Sequence, residues 1–174
     1  MAGTHSVMSH GDSTFTRVYD EQVRHVYAYF AYRVRDPHLA EDLTQTTFER
    51  ALRHWPRFDP AKASARTWLL TIAHNLLVDH YRSDRSDPVG DVDETLLPIV
   101  PGPEDWFSAH AELAIALEHL SDREREILAL RFGGDLSGPE IAEMLGLSLA
   151  NVQQLMSRSL RKLRLLMEAA DTEV

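Results

Sequence analysis

Apolar side chains recur at intervals of three and four along most of this chain and nowhere convincingly at two, which restricts it to helices that pack through one-sided stripes. From Phe15 the first stripe runs through Val18, Tyr19, Val23, Val26, Tyr27, Phe30 and Val34. Asp36 then offers a capping carboxylate, and Pro37 sits where a first helical turn loses nothing by a missing N–H. Leu39, Leu43, Phe48, Ala51, Leu52 and Trp55 predict the buried stripe of this second helix. Residues 56–64 read as a loop. A third helix follows, with Trp68, Leu69, Ile72, Ala73, Leu76 and Leu77 inward and Arg66, His74, Asn75, Asp79 and Arg82 largely outward.

Between Asp84 and Asp105 the periodicity stops. Four prolines and two glycines enter, and seven acids face one arginine, the composition of an extended tether. Beyond it Leu113, Leu117 and Leu120 line a helix. Ser121 with Glu124, and Ser137 with Glu140, have the spacing of capping boxes that open two more, and Gly133-Gly134 is expected to separate them. A last helix begins near Ser148 and is expected to bury Val152, Leu155, Met156, Leu160, Leu163 and Met167. The fold class is therefore all-α: two small helical domains, residues 13–83 and 106–170, joined by an acidic flexible linker, 84–105, after a disordered leader, 1–12.

The net charge of −9 argues against nucleic acid until it is divided along the chain. Residues 1–83 carry 10 basic against 9 acidic side chains, 84–105 carry 1 against 7, and 106–174 carry 7 against 11. Leu149 to Met167 nevertheless holds Arg158, Arg161, Lys162 and Arg164 with no acid, a basic face inside an acidic protein. Without cysteine the chain has no disulfides, thiolate metal sites or thiol nucleophile. His74 and His80, six apart on one helix, do not stack as a metal pair. No nucleophile with a base and no glycine-rich phosphate loop is present, so neither an enzyme nor a cofactor is expected. The longest apolar run, Val26 to Tyr32, falls far short of the roughly 20 residues of a membrane span, so no membrane insertion and a cytoplasmic location are expected.

Pro139 to Leu155 has the internal spacing of a helix-turn-helix. Ala142 is small where two helices would cross, Gly146 can take the positive φ that ends the first, and Val152 would pin the second to the core. The outward face is then Asn151, Gln153, Gln154, Ser157, Arg158, Arg161 and Lys162. Amides there can pair with adenine edges and arginines can reach guanine or phosphate in a major groove. The competing reading is a helical hairpin with a solvated charged face.

From Phe15 to Met167 the chain resembles the extracytoplasmic-function group of the sigma-70 family, three segments matching in order. Pro37 to Ala51 (PHLAEDLTQTTFERA) resembles the segment that docks on core RNA polymerase, which implies contacts by Asp42, Gln45 and Phe48. Arg66 to Arg82 (RTWLLTIAHNLLVDHYR) resembles the region 2 segment that opens the downstream promoter element, with Trp68, Asn75, Asp79 and Arg82 at matching positions. Leu120 to Arg164 resembles region 4, which reads the upstream element. The loop Phe58 to Ser64, with Asp59, Lys62 and Ser64, joins Arg66 and Asn75 as the expected downstream-element site, where a flipped base would sit. Trp68, an aromatic on an apolar stripe, is expected in the core. The acidic tether is expected to thread the polymerase cleft as a nucleic-acid mimic, or else to be a solvated spacer.

The resemblance further implies promoter DNA as a partner, double-stranded upstream and melted downstream, and an anti-sigma factor. One departure stands out: where the family commonly has Thr-Val-Lys-Ser-Arg early in the recognition helix, this chain has Asn151-Val-Gln-Gln-Leu, two cations fewer. A decoy that binds an anti-sigma factor without reading a promoter is the alternative. The intact polymerase-docking match and the lack of an accompanying phosphate-receiver segment weigh against it.

Overall fold

A computed structural model describes residues 10–84 and 110–172. The helices are α1 (His10–Arg33), α2 (Pro37–His54), α3 (Ala65–Asp84), α4 (Ala111–Glu118), α5 (Asp122–Leu128), α6 (Gly138–Leu145) and α7 (Leu149–Thr172). A 3-10 turn, Trp55–Arg57, follows α2, and a π turn, Ala129–Gly133, extends α5. Among the described residues there is no strand. The tether lies outside them apart from Asp84, which ends α3. Helix α1 begins at His10, so three residues expected in the leader are helical.

The first three helices form one bundle. Asp36 accepts from the His38 N–H at 2.9 Å and Pro37 opens α2, as its capping chemistry requires. The stripe of α2 differs from expectation at one end: Leu52 is half exposed, while Thr44 and Thr47 are buried. Their hydroxyls donate to the carbonyls of Ala40 and Leu43, both at 2.7 Å. A threonine that bonds one turn back carries no unmet polar group into the core, so it can occupy the buried face where a search for apolar letters overlooks it.

In the second half both capping boxes form. Ser121 and Ser137 donate their N–H groups to Glu124 and Glu140 at 2.8 Å, and each serine oxygen receives the glutamate's own N–H. Helix α6 ends at Gly146 with φ +64°. The Leu147 N–H then reaches back to the Ala142 carbonyl at 2.9 Å and that of Gly146 to Glu143 at 3.3 Å, the Schellman closure a left-handed residue permits. On α7 the inward line runs Val152, Leu155, Met156, Ser159, Leu163 and Leu166, with Val152 and Ser159 buried and the others partly so. Leu160 and Met167, expected inside, are exposed. Ser159 takes the place on the 3.6-residue line and satisfies its hydroxyl on the Leu155 carbonyl at 2.7 Å.

The two halves share one apolar core. Helix α1 is buried on two faces. Its apolar stripe meets α2 and α3, while Tyr29 and Arg33 on the other side lie against the second half and Gln22 accepts from Arg66 of α3. Gly133 does not merely separate helices. A Cβ there would fall 2.7 Å from the Tyr29 nitrogen and 2.8 Å from the Ala28 carbonyl group, so only glycine lets the π turn lie on the backbone of α1. The positive φ of this turn falls instead on Asp135, at 53°.

Candidate nucleic-acid interface

Helix α7 is oriented by α6 through three steric choices. Val152 is completely buried, Ala142 nearly so, and Gly146 turns the chain between them. Ser148 caps the helix by accepting the Asn151 N–H at 3.1 Å. With the inward line thus held, Asn151, Gln153, Gln154, Ser157, Arg158, Arg161 and Lys162 all face outward and are exposed. Lys162 leans toward Glu124 at 3.6 Å. Among the described residues no ion pair engages Arg158 or Arg161. The face is one a phosphate backbone could meet without first breaking an ion pair to either arginine.

In the first half the expected residues divide. Asp42 is exposed and Gln45 partly so, bonded to Glu49 at 3.1 Å, along the outer side of α2. Phe48 is a correction: it is 5% exposed and packs edge-on against Tyr19 (4.7 Å) and Phe15 (6.5 Å), inside the bundle. On a helix it falls about 120° from Asp42, so it cannot share a docking face with that residue. Leu52, half exposed, borders the Asp42 and Gln45 face instead.

In the loop before α3, Asp59 accepts the Ala61 N–H at 3.0 Å and approaches Lys62 at 3.9 Å. Ser64 caps α3 through the Thr67 N–H at 3.1 Å. Asn75 and Asp79 are exposed further along α3, Asp79 beside Arg50 at 4.0 Å, and Arg82 is exposed in its last turn. Eleven residues separate Ser64 from Asn75, about 16 Å of helix. A single base therefore cannot touch both by lying at one point; a strand running along α3 can. Trp68 stands with Trp55 and Phe58 in an aromatic group, ring centres 4.9 Å from Phe58 and 6.0 Å from Trp55, packed against the core as expected.

Arg66 and His74 depart from the outward face expected of them, because the second half covers them. Arg66 donates to Gln22 at 3.0 Å and to the Asp135 carboxylate at 2.6 Å. Beside it the Thr67 hydroxyl donates to Glu140, on α6, at 3.3 Å. His74 Nδ1 lies 2.8 Å from Glu126 Oε1.

Glu126 is the centre of this seam. Its carboxylate, 6% exposed, also accepts the Tyr29 hydroxyl at 2.9 Å and lies 2.9 Å from Arg33 Nε. The Arg33 Nε–H is not aimed at that oxygen, so the pair is a close charge contact rather than a directed hydrogen bond; another guanidinium nitrogen donates to the Asp122 carbonyl at 3.1 Å. Burial pushes the Glu126 carboxyl up, but the His74 bond, the Arg33 charge and the Tyr29 bond together hold it below its ordinary value. Tyr29 is pushed well above the usual phenol range, first by burial and then by the Glu126 charge. At the other end of the seam burial and the Arg66 charge lower the pKa of His25. These residues are polar, and at sequence level each resembles a solvated position. The spacing of Gln22, Tyr29 and Arg33, seven and four apart, was the available signal of a second face on α1.

The family model for Sigma-70 region 2 matches residues 18–86 and that for Sigma-70, region 4 matches residues 116–165. The ECF RNA polymerase sigma factor BldN of Streptomyces coelicolor is 36% identical over 154 residues, which cover 86% of this chain and 58% of that protein. The chain thus spans little more than half of that relative. SigK of Mycobacterium tuberculosis, also an ECF RNA polymerase sigma factor, is 30% identical over 168 residues, covering 91% of this chain and 88% of the relative. Among solved structures, CnrH in complex with the cytosolic domain of CnrY is similar with a TM-score of 0.66 at 25% identity, over 91% of this chain and 90% of that one. The sigma factor RpoE in complex with the anti-sigma factor NepR, from Bartonella quintana, has a TM-score of 0.70 at 22% identity, over 90% of this chain and 98% of that one, a likeness of fold.

Proposed function

The chain belongs to the extracytoplasmic-function RNA polymerase sigma factors, and from that premise we propose that it binds core RNA polymerase in the cytoplasm and directs it to particular promoters. Residues 13–83 and 106–170 act as its two functional units. The outer side of α2, with Asp42 and Gln45 and with Leu52 at its edge, is the polymerase-docking face. Asp59, Lys62, Ser64, Arg66, Asn75, Asp79 and Arg82 follow the melted downstream strand along α3. Asn151, Gln153, Gln154, Ser157, Arg158, Arg161 and Lys162 enter the major groove of the upstream element. An anti-sigma factor is a further partner of this reading, since CnrH and the Bartonella RpoE are each in complex with a protein, the latter named an anti-sigma factor.

The observation that carries the reading is the exposed face of α7, free of acids from Leu149 to Met167, on a helix whose other side is fixed by Val152, Ala142 and Gly146. Basic and amide side chains on a rigid helix supply both the phosphate attraction and the base-edge pairing that duplex recognition needs. Run-off transcription from a fragmented library of the source genome, with core polymerase and with or without this chain, tests it. Chain-dependent transcripts sharing paired upstream and downstream elements are the expected result. The lack of two cations, at Gln153 and Leu155, favours one other reading, a decoy that captures an anti-sigma factor. Binding to core polymerase or an anti-sigma factor with no new transcripts would favour that decoy.

A further inference from the structure

From the packing of α2 against α3 we infer that Arg50 is a phosphate contact of the downstream strand, and that Asp79 is the positioning residue that holds it on the strand's path. The inference rests on the reading that a melted strand runs along α3, and adds to it a cation from the neighbouring helix. Asn75, Asp79 and Arg82 recur at four and three residues and so share one face of α3. They span about 10 Å of helix, room for about three phosphates at the ~3.4 Å rise of one strand. Asp79 is the anomaly on that face. Its side chain is 58% exposed, and an exposed carboxylate repels a phosphate backbone unless a cation stands beside it. That cation comes from α2: Arg50 Nη1 lies 4.0 Å from Asp79 Oδ2.

Helix geometry explains why Arg50 reaches this place and the docking residues do not. At 3.6 residues per turn Arg50 leaves α2 about 80° from Asp42 and about 140° from Gln45. It points instead along the line of Leu43, the buried side on which α2 packs against α3. Its long stem carries the guanidinium out to the rim of that contact, where 43% of the side chain stays exposed. An exposed ion pair at this distance contributes little to stability, so it is a poor brace between helices. What it does fix is the direction of a side chain with many rotamers. A guanidinium presents five donors in a planar fork, so it can keep one side toward Asp79 and turn the other to a phosphate.

The test uses core polymerase saturated with the full chain, so that docking is not what is read, and a pool of forked duplexes whose single-stranded arm is randomised, titrated at several salt concentrations. For Arg50→Ala the expected result is about tenfold weaker binding on every arm that the parent selects, the size of one charge-assisted hydrogen bond. The slope of log affinity against log salt should fall by about 0.7, the share of one single-strand phosphate. Arg50→Lys keeps the charge but not the fork, and is expected to keep the parent's slope at an intermediate affinity, which a folding defect would not produce. Asp79→Asn supplies a signature that a brace lacks. In the parent it frees Arg50 and should weaken binding severalfold; in the Arg50→Ala background it removes a stranded acid and should strengthen binding.

An unchanged salt slope for Arg50→Ala overturns the phosphate contact, as does a lysine variant whose slope is as low as that of the alanine. An effect of Asp79→Asn with the same sign in both backgrounds overturns the positioning role. So does a loss confined to arms carrying one particular base, because the carboxylate would then be reading that base itself. If polymerase carrying the parent chain selects no arm sequence at all, the reading of α3 as a strand path fails and takes the inference with it. Selection by the parent together with an indifferent Arg50→Ala sinks the inference alone.

Discussion

Arg33 of α1 and Glu126 of α5 face each other across the seam at 2.9 Å, with side chains only 7% and 6% exposed. Among the described residues neither has a counter-charge at that depth within its own half; each completes the other. Removing one partner of such a pair strands the remaining charge, which costs about 3–5 kcal/mol when it cannot escape. Here it can escape, because parting the halves returns it to water. Glu126→Leu is therefore expected to open the chain rather than unfold it, seen as a larger radius of gyration by small-angle scattering with helical content retained. Arg33→Met combined with Glu126→Leu is expected to restore the compact form. A double variant as open as the single one would show that the pair does not govern closure.

Acid should loosen the same seam, and the sign follows from two lowered pKa values. His25 is held below its ordinary 6.5 by burial and by the Arg66 charge, with Arg24 adding and Asp135 and the Gly133 carbonyl opposing. Glu126 is held below 4.5, its burial outweighed by His74, Arg33 and Tyr29. Both folded values are depressed, so each group contributes stability that is full above its unfolded pKa and lost as pH falls through its folded one. Stability is expected to begin falling below about pH 6.5 and to fall again below about 4.5. Thermal melts across this range test it, and Glu126→Gln should flatten the lower limb. Identical limbs with and without that change would place the acid sensitivity elsewhere, Glu124 and Glu140 being the other carboxylates held low, by their serine caps.

Gly146 and Gly133 make opposite uses of the missing side chain. At Gly146 φ is +64° and a Cβ would meet nothing within 4 Å, so only backbone strain opposes a larger residue. Gly146→Ala is expected to lower stability by about 1–2 kcal/mol, and Gly146→Asn by clearly less, since asparagine tolerates the left-handed region. Denaturant midpoints for the two compared with the parent check this. Equal losses would mean that the turn rejects bulk and not conformation.

The legible parts of the fold were those with a local chemical signature. Asp36-Pro37, both capping boxes and Gly146 each satisfy or release backbone groups within a few residues, so their letters carry the structure. What was hidden depended on long-range company. Thr44, Thr47 and Ser159 are buried because each hydroxyl reaches a carbonyl one turn back, yet each looks polar. Leu52 and Leu160 are apolar and outside. Tyr29, Arg33 and Glu126 look like surface until the second half covers them, a contact between residues 97 apart in the case of Tyr29 and Glu126 that no local pattern encodes. At the candidate interface the helix-turn-helix face was readable because helical geometry alone sorts α7 into sides. Phe48 was not readable in this way, because a family motif does not encode which side of α2 faces the rings of Phe15 and Tyr19.

Gln154 and Arg161 lie two turns apart on the exposed side of α7, and their chemistry separates two kinds of recognition. An amide offers a donor and an acceptor in fixed relation, which matches the adenine edge in a major groove and is lost on any other base. A guanidinium that no ion pair engages among the described residues meets phosphate on every sequence. Gln154→Ala is expected to change which upstream elements are preferred while leaving affinity for unrelated duplex nearly intact. Arg161→Ala should weaken binding to all duplexes and reduce the slope of log affinity against log salt by about one. Titrations of polymerase loaded with each variant onto matched and scrambled upstream elements, at several salt concentrations, distinguish them. Losses of the same size on every sequence for both variants would mean that α7 meets DNA only through its backbone charge, and that the amides at Gln153 and Gln154 carry no base readout.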